Sequence, residues 1–238
     1  MVYIKSNAEQ TILLPTDLRT IIPKDHICYL IENVINQLDY EEFDKKVQGA
    51  GNPSYHPRIC LKIIINGICE RVSSTRKLEK LTYENIIFRY LSENLSPDFH
   101  TIALFRKENT KLIKQSFLQT IEIAKDLNMV NFNKLYLDGT KVKAMRRIRL
   151  RFKTKIGLEK YNKRFHKGEV AQAHILHNLG YREFKMRSKE SCQNEVNLFS
   201  IAYNLKKIQN NLKKNSINLK EFIKKGFFMF DSNYLFGL

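Results

Sequence analysis

The sequence predicts an α+β protein, with an all-helical N-terminal domain followed by an α/β region. Up to about residue 130, apolar residues recur every three or four positions, which is typical of amphipathic helices. From Asn131 the chain begins to alternate apolar and polar residues, which is typical of strands. Basic residues are also concentrated after this point. We therefore expect a helical domain at 1–130, an α/β domain at 131–210 and a C-terminal tail at 211–238.

The N-terminal region is divided into predicted helices by residues that favour turns and caps. An apolar stripe over 27–38 predicts the first helix, and Pro57 is placed to begin the second. Ser73-Ser74 could cap a third helix. Thr101 is placed to cap a fourth helix that continues towards residue 112, and a longer helix follows to Leu127.

The second half of the chain combines predicted strands with one long predicted helix. Residues 134–139 read as a short strand that ends in a turn, and 140–144 could form its partner strand. Basic and apolar residues alternate over 147–153, which favours a strand with one charged face. The helical period returns over 194–212. The aromatic tail after residue 220 is expected to pack or to aggregate.

Charge is distributed very unevenly along the chain. The formal net charge is +17, from 41 Lys and Arg against 24 Asp and Glu. Residues 1–130 hold 17 basic and 16 acidic residues, whereas the remainder holds 24 basic and 8 acidic ones. The excess of positive charge could belong to an ordinary solvated surface. Its concentration in one half of the chain favours instead a surface that binds a polyanion.

The densest basic stretch lies between residues 141 and 167, where Glu159 is the one acidic residue. We expect nucleic-acid contacts from its side chains, which include Lys141, Lys143, Arg146, Arg147, Arg149, Arg151, Lys163 and Arg164. Such contacts position a phosphate backbone but do not read bases. Base reading is expected instead from Arg76 and Lys77, near a predicted helix start, as in helix-turn-helix proteins. A solvated, charged helix face is the alternative.

Several other classes of site receive no support from the sequence. The four cysteines lack paired spacing, which predicts buried thiols in a reducing compartment rather than a zinc site or disulfides. His174 and His177 are interpreted as polar surface residues, and no zinc site is predicted. No apolar run approaches the roughly 18 residues of a membrane span, so we expect a cytoplasmic protein without a membrane partner.

Asp138 is placed where a catalytic metal ligand could lie, at the end of a predicted strand. Phosphoryl transfer commonly uses two Mg²⁺ ions about 3.5–4 Å apart, and carboxylates are suitable ligands for this hard ion. Taken alone, an aspartate in this position is more often a turn residue.

The surrounding segment, 136–144, resembles the one that carries the first catalytic aspartate in DDE transposases with an InsH-type N-terminal domain. Upstream motifs match in order and distance at 13–15, 22–26, 55–58, 73–79 and 97–102. Downstream, motifs at 161–164, 168–169, 179–184 and 202–205 are similar to the C-terminal segment of the family. The resemblance covers about residues 9–146 and 155–208.

The resemblance implies a catalytic domain of RNase H-like fold, in which three acids hold Mg²⁺. By register, Asp138 is the first acid and Glu169 the last, each as catalytic residue and metal ligand, although Glu169 could also be an ordinary surface residue. The implied partners are DNA at transposon ends and a homo-oligomer, or a hetero-oligomer with a full-length transposase.

The chain departs from the family pattern in the middle of this domain. Asp138 and Glu169 are only 31 residues apart, no aspartate lies between them, and the later Asp231 follows in the wrong order. The sequence therefore predicts a truncated RNase H-like domain and a catalytically defective transposase. A non-catalytic DNA-binding repressor of a full-length transposase is the alternative. An RNA-binding protein is the least favoured alternative. RNA-recognition modules usually stack bases on aromatic side chains of their strands, and Phe152 is the one aromatic residue in the basic strand-like stretch.

Overall fold

A computed structural model gives the fold of residues 17–47, 55–129, 174–181 and 184–224. These residues are helical or lie in turns between helices, and no strand occurs among them. The strands predicted between residues 134 and 153 lie outside the described residues. The α/β character of the second half therefore stays a prediction, as do the domain boundaries.

The described residues form a series of helices connected by short turns. In chain order they are α1 (Ile27–Asn36), α2 (Glu41–Val47), α3 (Pro57–Cys69), α4 (Thr75–Glu84), α5 (Ile86–Leu91), α6 (Phe99–Glu108), α7 (Thr110–Asp126), α8 (Lys189–Lys214) and α9 (Leu219–Lys224). A 3₁₀ turn at Leu18–Thr20 precedes them, and a π-helical turn at His174–Asn178 lies before α8.

The predicted starts of two helices are confirmed, and the helical period at 194–212 falls within α8. Helix α1 begins at Ile27 and α3 at Pro57. The short helices α2, α5 and α9 were not predicted, because six or seven residues carry too little of a 3.6-residue period. Helix α8 ends at Lys214, four residues into the segment assigned to the tail.

The predicted cap and extent of the fourth helix were wrong. Asp98 is the N-cap residue of α6, and its carboxylate accepts a hydrogen bond from the backbone N–H of Thr101 at 2.6 Å. Thr101 is therefore the third residue of the helix rather than its cap. The helix ends at Glu108, because Asn109 leaves the helical conformation and its side chain donates to the Phe105 carbonyl.

Helix α8 packs in the same core as the N-terminal helices. Its contacts are most extensive with α7 and then with α3 and α1. Buried residues from all four helices meet in one hydrophobic cluster, for example Ile31, Ile64, Ile113 and Ile201, each fully inaccessible to water. Burial of such side chains stabilises a fold by about 1.5–3 kcal/mol each. Described residues between 174 and 224 thus contribute to the folded core.

Helix α3 lies at the centre of this arrangement. Eleven of its 13 residues are buried, which is typical of a helix surrounded by others. The buried residues include Lys62, whose ammonium group pairs with the Glu93 carboxylate at 3.2 Å. Near its C-terminal end, Gly67 leaves no room for a side chain, because a Cβ atom there would collide with Leu78 of α4. Helices α3 and α4 therefore approach each other closely at this glycine.

Candidate nucleic-acid interface

Helices α3 and α4 form a helix-turn-helix arrangement, in which residues 70–74 are the turn. The chain reverses at Arg71, which has a left-handed φ of 62°. The backbone N–H of Val72 donates to the Gly67 carbonyl at 2.7 Å and closes the end of α3. Two helices joined by a short turn are the framework that presents a second helix to DNA in helix-turn-helix proteins.

Helix α4 has one buried face and one exposed basic face. Leu78 and Thr82 point into the protein, whereas Arg76, Lys77 and Lys80 are exposed. Lys80 pairs with a glutamate one turn further along the helix at 3.5 Å. Arg76 and Lys77 form no ion pair within the described residues. Both predicted base-reading residues therefore lie in the first turn of an exposed helix.

The Arg76 side chain is held in place by an aromatic ring. Its guanidinium carbon lies 5.1 Å from the centre of the Phe99 ring, within the range of a cation–π interaction. A guanidinium carries five N–H donors, and no carboxylate among the described residues pairs with this one. Those donors could bind a phosphate or the acceptor edge of a guanine.

The turn between α3 and α4 is anchored by basic side chains from distant parts of the chain. The Lys206 ammonium donates to the Cys69 carbonyl at 2.7 Å, and Lys185 donates to the Ser73 hydroxyl at 2.5 Å. The Arg106 guanidinium donates to the Ser73 carbonyl at 2.9 Å. The end of α3 is thereby fixed to α8, and the start of α4 is fixed to α6 and to the segment before α8.

Arg106 has an unusual environment for a charged residue. It is buried, and its Nε and Nη2 atoms have no hydrogen-bond partner among the described residues. Burial lowers the pKa of Arg106 to about 10, and the negative charge of Glu195 partly opposes this effect. The guanidinium still carries its charge at neutral pH and adds to the positive potential behind the turn.

The remaining predicted site residues cannot be placed in the same way. Asp138, Glu169 and the basic residues of the stretch 141–167 lie outside the described residues. Within the part of the chain that the structure describes, no cluster of three or more His, Cys, Asp or Glu residues could hold a metal ion. His174 packs edge-on against Tyr203, with ring centres 5.2 Å apart.

The sequence analysis assigns no contact to three further basic residues: Lys185, which lies at the start of α4, Arg187, two positions later, and Lys206, which lies at the end of α3. The first two are exposed and immediately follow a motif already recognised at 179–184. Their signal is the recurrence of a basic residue at alternate positions, 185, 187 and 189. Nothing in the local sequence indicates the contact of Lys206, because its acceptor is 137 positions away.

Two family profiles match the chain, and both describe transposases. Residues 16–108 match the transposase domain DUF772, and residues 130–209 match a transposase DDE domain. The first match contains the α3–α4 arrangement, and the second contains most of α8. Proteins of this class act on DNA and typically use a divalent metal ion. The chain belongs to the DDE-class insertion-sequence transposases.

Two further comparisons bear on the chain as a whole. Searches of the curated proteins and of the solved structures give no significant match. Among the described residues, no helix is both long and apolar enough to cross a membrane.

Proposed function

We propose that this chain is a DNA-binding member of its transposase family that no longer carries out strand transfer. The observation that carries this proposal is the short distance between its two remaining acids. Asp138 and Glu169 are only 31 positions apart, and none of the residues between them is an aspartate. An internal deletion that removed the middle acid, together with the strands around it, accounts for this spacing.

The missing acid matters because of the chemistry that the metal ions supply. When bound, a pair of Mg²⁺ ions activates the attacking oxygen of a phosphodiester reaction and stabilises the leaving oxygen. Asp138 and Glu169 have the right donor chemistry for Mg²⁺. Two carboxylates are nevertheless too few for the three-acid set of the family, so the donor set does not fit the metal pair.

We place the deletion within an RNase H-like α/β domain, of which residues 131–210 remain. A helical DNA-binding domain at 1–130 precedes this truncated domain, and a tail follows it. In such a domain, the loss of internal strands exposes sheet edges and removes core area. Helix α8, which lies mostly in the second region, packs with the N-terminal helices in one core among the described residues. The helical DNA-binding domain can therefore stay folded after the deletion. We expect the protein to act in the cytoplasm.

The proposed DNA contacts are of two kinds. Arg76 and Lys77 reach base edges from the first turn of α4, as the second helix of a helix-turn-helix does. The cations of the basic stretch contact phosphates: Lys141, Lys143, Arg146, Arg147, Arg149, Arg151, Lys163 and Arg164. Phosphate contacts release counterions, so binding is expected to weaken steeply as salt is added.

A gel-shift titration of the full chain tests this proposal. The probe is a duplex of the DNA that flanks its own gene, at two salt concentrations, with an Mg²⁺ cleavage reaction alongside. We expect a salt-sensitive shift without cleavage. Mg²⁺-dependent cleavage that Asp138→Asn abolishes would show that the missing acid has been replaced, and the proposed defect would be wrong.

A repressor role is the second candidate, favoured by the retention of α4 and its supporting core. A protein that occupies transposon ends without cleaving them would block a full-length relative, either by competition or by forming mixed oligomers with it. Addition of this chain to a cleavage reaction of such a relative should lower the rate. An unchanged rate at saturating protein would exclude this role. Preferential binding of a matched RNA duplex would favour RNA binding instead.

A further inference from the structure

The segment that leads into α8 lies beside the start of α4. The Lys185 ammonium is 2.5 Å from the Ser73 hydroxyl, although the two residues are 112 positions apart. Ser73 immediately precedes Ser74, the N-cap residue of α4. The backbone N–H of Lys185 also donates to the Glu195 carboxylate at 3.0 Å, which fixes the segment to α8. Two regions matched by different family profiles therefore meet at this point.

Five exposed cations lie within four positions of Ser73 or Lys185 along the chain: Arg76, Lys77, Lys185, Arg187 and Lys189. Within the described residues none of them pairs with a carboxylate. We call this set the two-segment basic surface. It contains cations from α4 and from the approach to α8, so neither segment alone supplies it.

The positions of three of these cations are unfavourable for the stability of the free protein. Arg76 and Lys77 lie in the first turn of α4, and Lys189 is the first residue of α8. The positive end of the helix dipole lies at a helix N-terminus and disfavours nearby cations. Residues that break a local rule of this kind are expected at functional sites, where a ligand compensates for them. The compensating ligand here would be an anion.

We propose that the two-segment basic surface binds the phosphate backbone of duplex DNA, so that the same DNA contacts both matched regions at once. This inference rests on the proposed DNA-binding function and adds Lys185, Arg187 and Lys189 to its contacts. The Lys185 ammonium has three donors and gives one to Ser73, which leaves two for phosphate oxygens. Arg76 is already oriented by Phe99 and keeps its edge donors for the same strand.

The experiment compares two double variants of the full chain that remove the same charge. Lys185→Gln/Arg187→Gln alters the surface, whereas Lys214→Gln/Lys220→Gln removes two exposed lysines near the other end of α8. Positions 189 and 214 are about 37 Å apart along the helix axis. Fluorescence anisotropy with a duplex of the gene-flanking DNA gives affinity at several salt concentrations, and circular dichroism confirms that each variant is folded.

Loss of two phosphate contacts should lower the slope of log affinity against log salt by about 1.8 and weaken binding at 0.1 M salt by roughly tenfold or more. The control variant should keep the wild-type slope. Equal slopes for both variants would overturn the inference and leave the proposed function standing. Failure of the wild-type chain to bind any duplex would overturn both. Arg187→Gln alone gives a second test with half the change in slope if the double variant does not fold.

Discussion

The side chain of Lys206 donates a hydrogen bond to the backbone carbonyl of Cys69 at 2.7 Å and thereby joins α8 to the end of α3. Carbonyl groups at the C-terminal end of a helix lack partners within the helix and carry partial negative charge. A cation placed there satisfies one carbonyl and interacts favourably with the helix dipole. The contact also fixes the point from which the chain turns into α4.

Replacement of Lys206 by methionine should destabilise the protein by about 1–2 kcal/mol, because a charge-assisted hydrogen bond at a helix end is lost. Urea unfolding followed by circular dichroism measures the change. Lys207→Met is the matched control, because Lys207 is exposed and contacts the face of Tyr203 rather than a helix carbonyl. Equal losses in the two variants would mean that the contact with Cys69 does not stabilise the fold.

Gly67→Ala should destabilise the protein by about 1–3 kcal/mol through overpacking. The added methyl group would collide with the Leu78 side chain and lie 2.7 Å from the Val72 carbonyl oxygen, which belongs to the backbone and cannot move away alone. Ser74→Ala is the comparison, because the Ser74 side chain makes no capping hydrogen bond. Its free energy of unfolding should change by less than about 0.5 kcal/mol. A neutral Gly67→Ala would contradict the close approach of α3 and α4.

Glu93 should make the free energy of unfolding of the protein depend on pH in the acid range. Burial alone would raise the pKa of this carboxyl, but hydrogen bonds from Arg58 and Lys62 hold it below its ordinary value of 4.5. A carboxylate with a lowered pKa in the folded state stabilises the protein above its unfolded pKa. This stabilisation is lost as the pH falls below about 4.5 and through the folded pKa. Glu93→Gln should remove this part of the pH dependence, measured as the free energy of unfolding from pH 7 to pH 3.

At neutral pH, Glu93→Gln should lower the free energy of unfolding by about 1–3 kcal/mol, because Lys62 is left buried without its charged partner. The loss is no larger because Glu93 is partly exposed and water screens the ion pair. The pair of changes Lys62→Met and Glu93→Gln should restore most of this loss, since it removes the unpaired charge as well. A double variant that is less stable than either single variant would show that the ion pair itself, rather than the unpaired lysine, dominates.

The cysteines should differ in reactivity towards a thiol reagent. Cys28, Cys60 and Cys69 are buried, and burial raises the pKa of each thiol to about 12, so little thiolate is present at pH 8. Cys192 is only partly buried. We expect one thiol to react quickly in the native protein and four in urea. Rapid reaction of Cys69 would contradict the packing of α8 over the end of α3.

The helices that sequence analysis located best are those with a long apolar stripe and a strong start signal. Pro57 is an example, because proline favours the first turn of a helix. The prediction for Thr101 was wrong because Asp98, three residues earlier, is also a good capping residue and the local sequence does not decide between them. Within the candidate site, the helix-start signal at Ser73-Ser74 predicts that Arg76 and Lys77 lie in a first helical turn, while their role in base reading stays a prediction. Lys185 was not predicted to lie at this site, because its proximity to Ser73 depends on tertiary packing.

The sharing of one core between α8 and the N-terminal helices limits which damaged copies of such a gene yield an ordered protein. A frameshift or stop codon ahead of codon 189 would delete α8, and the apolar faces of α1, α3 and α7 would be left in water. An in-frame lesion that spares α8 and the helices packed against it leaves those faces covered, whatever it does to the reaction. Among decaying copies of this element, those that preserve the reading frame should therefore persist as folded proteins, while the others are cleared by proteolysis.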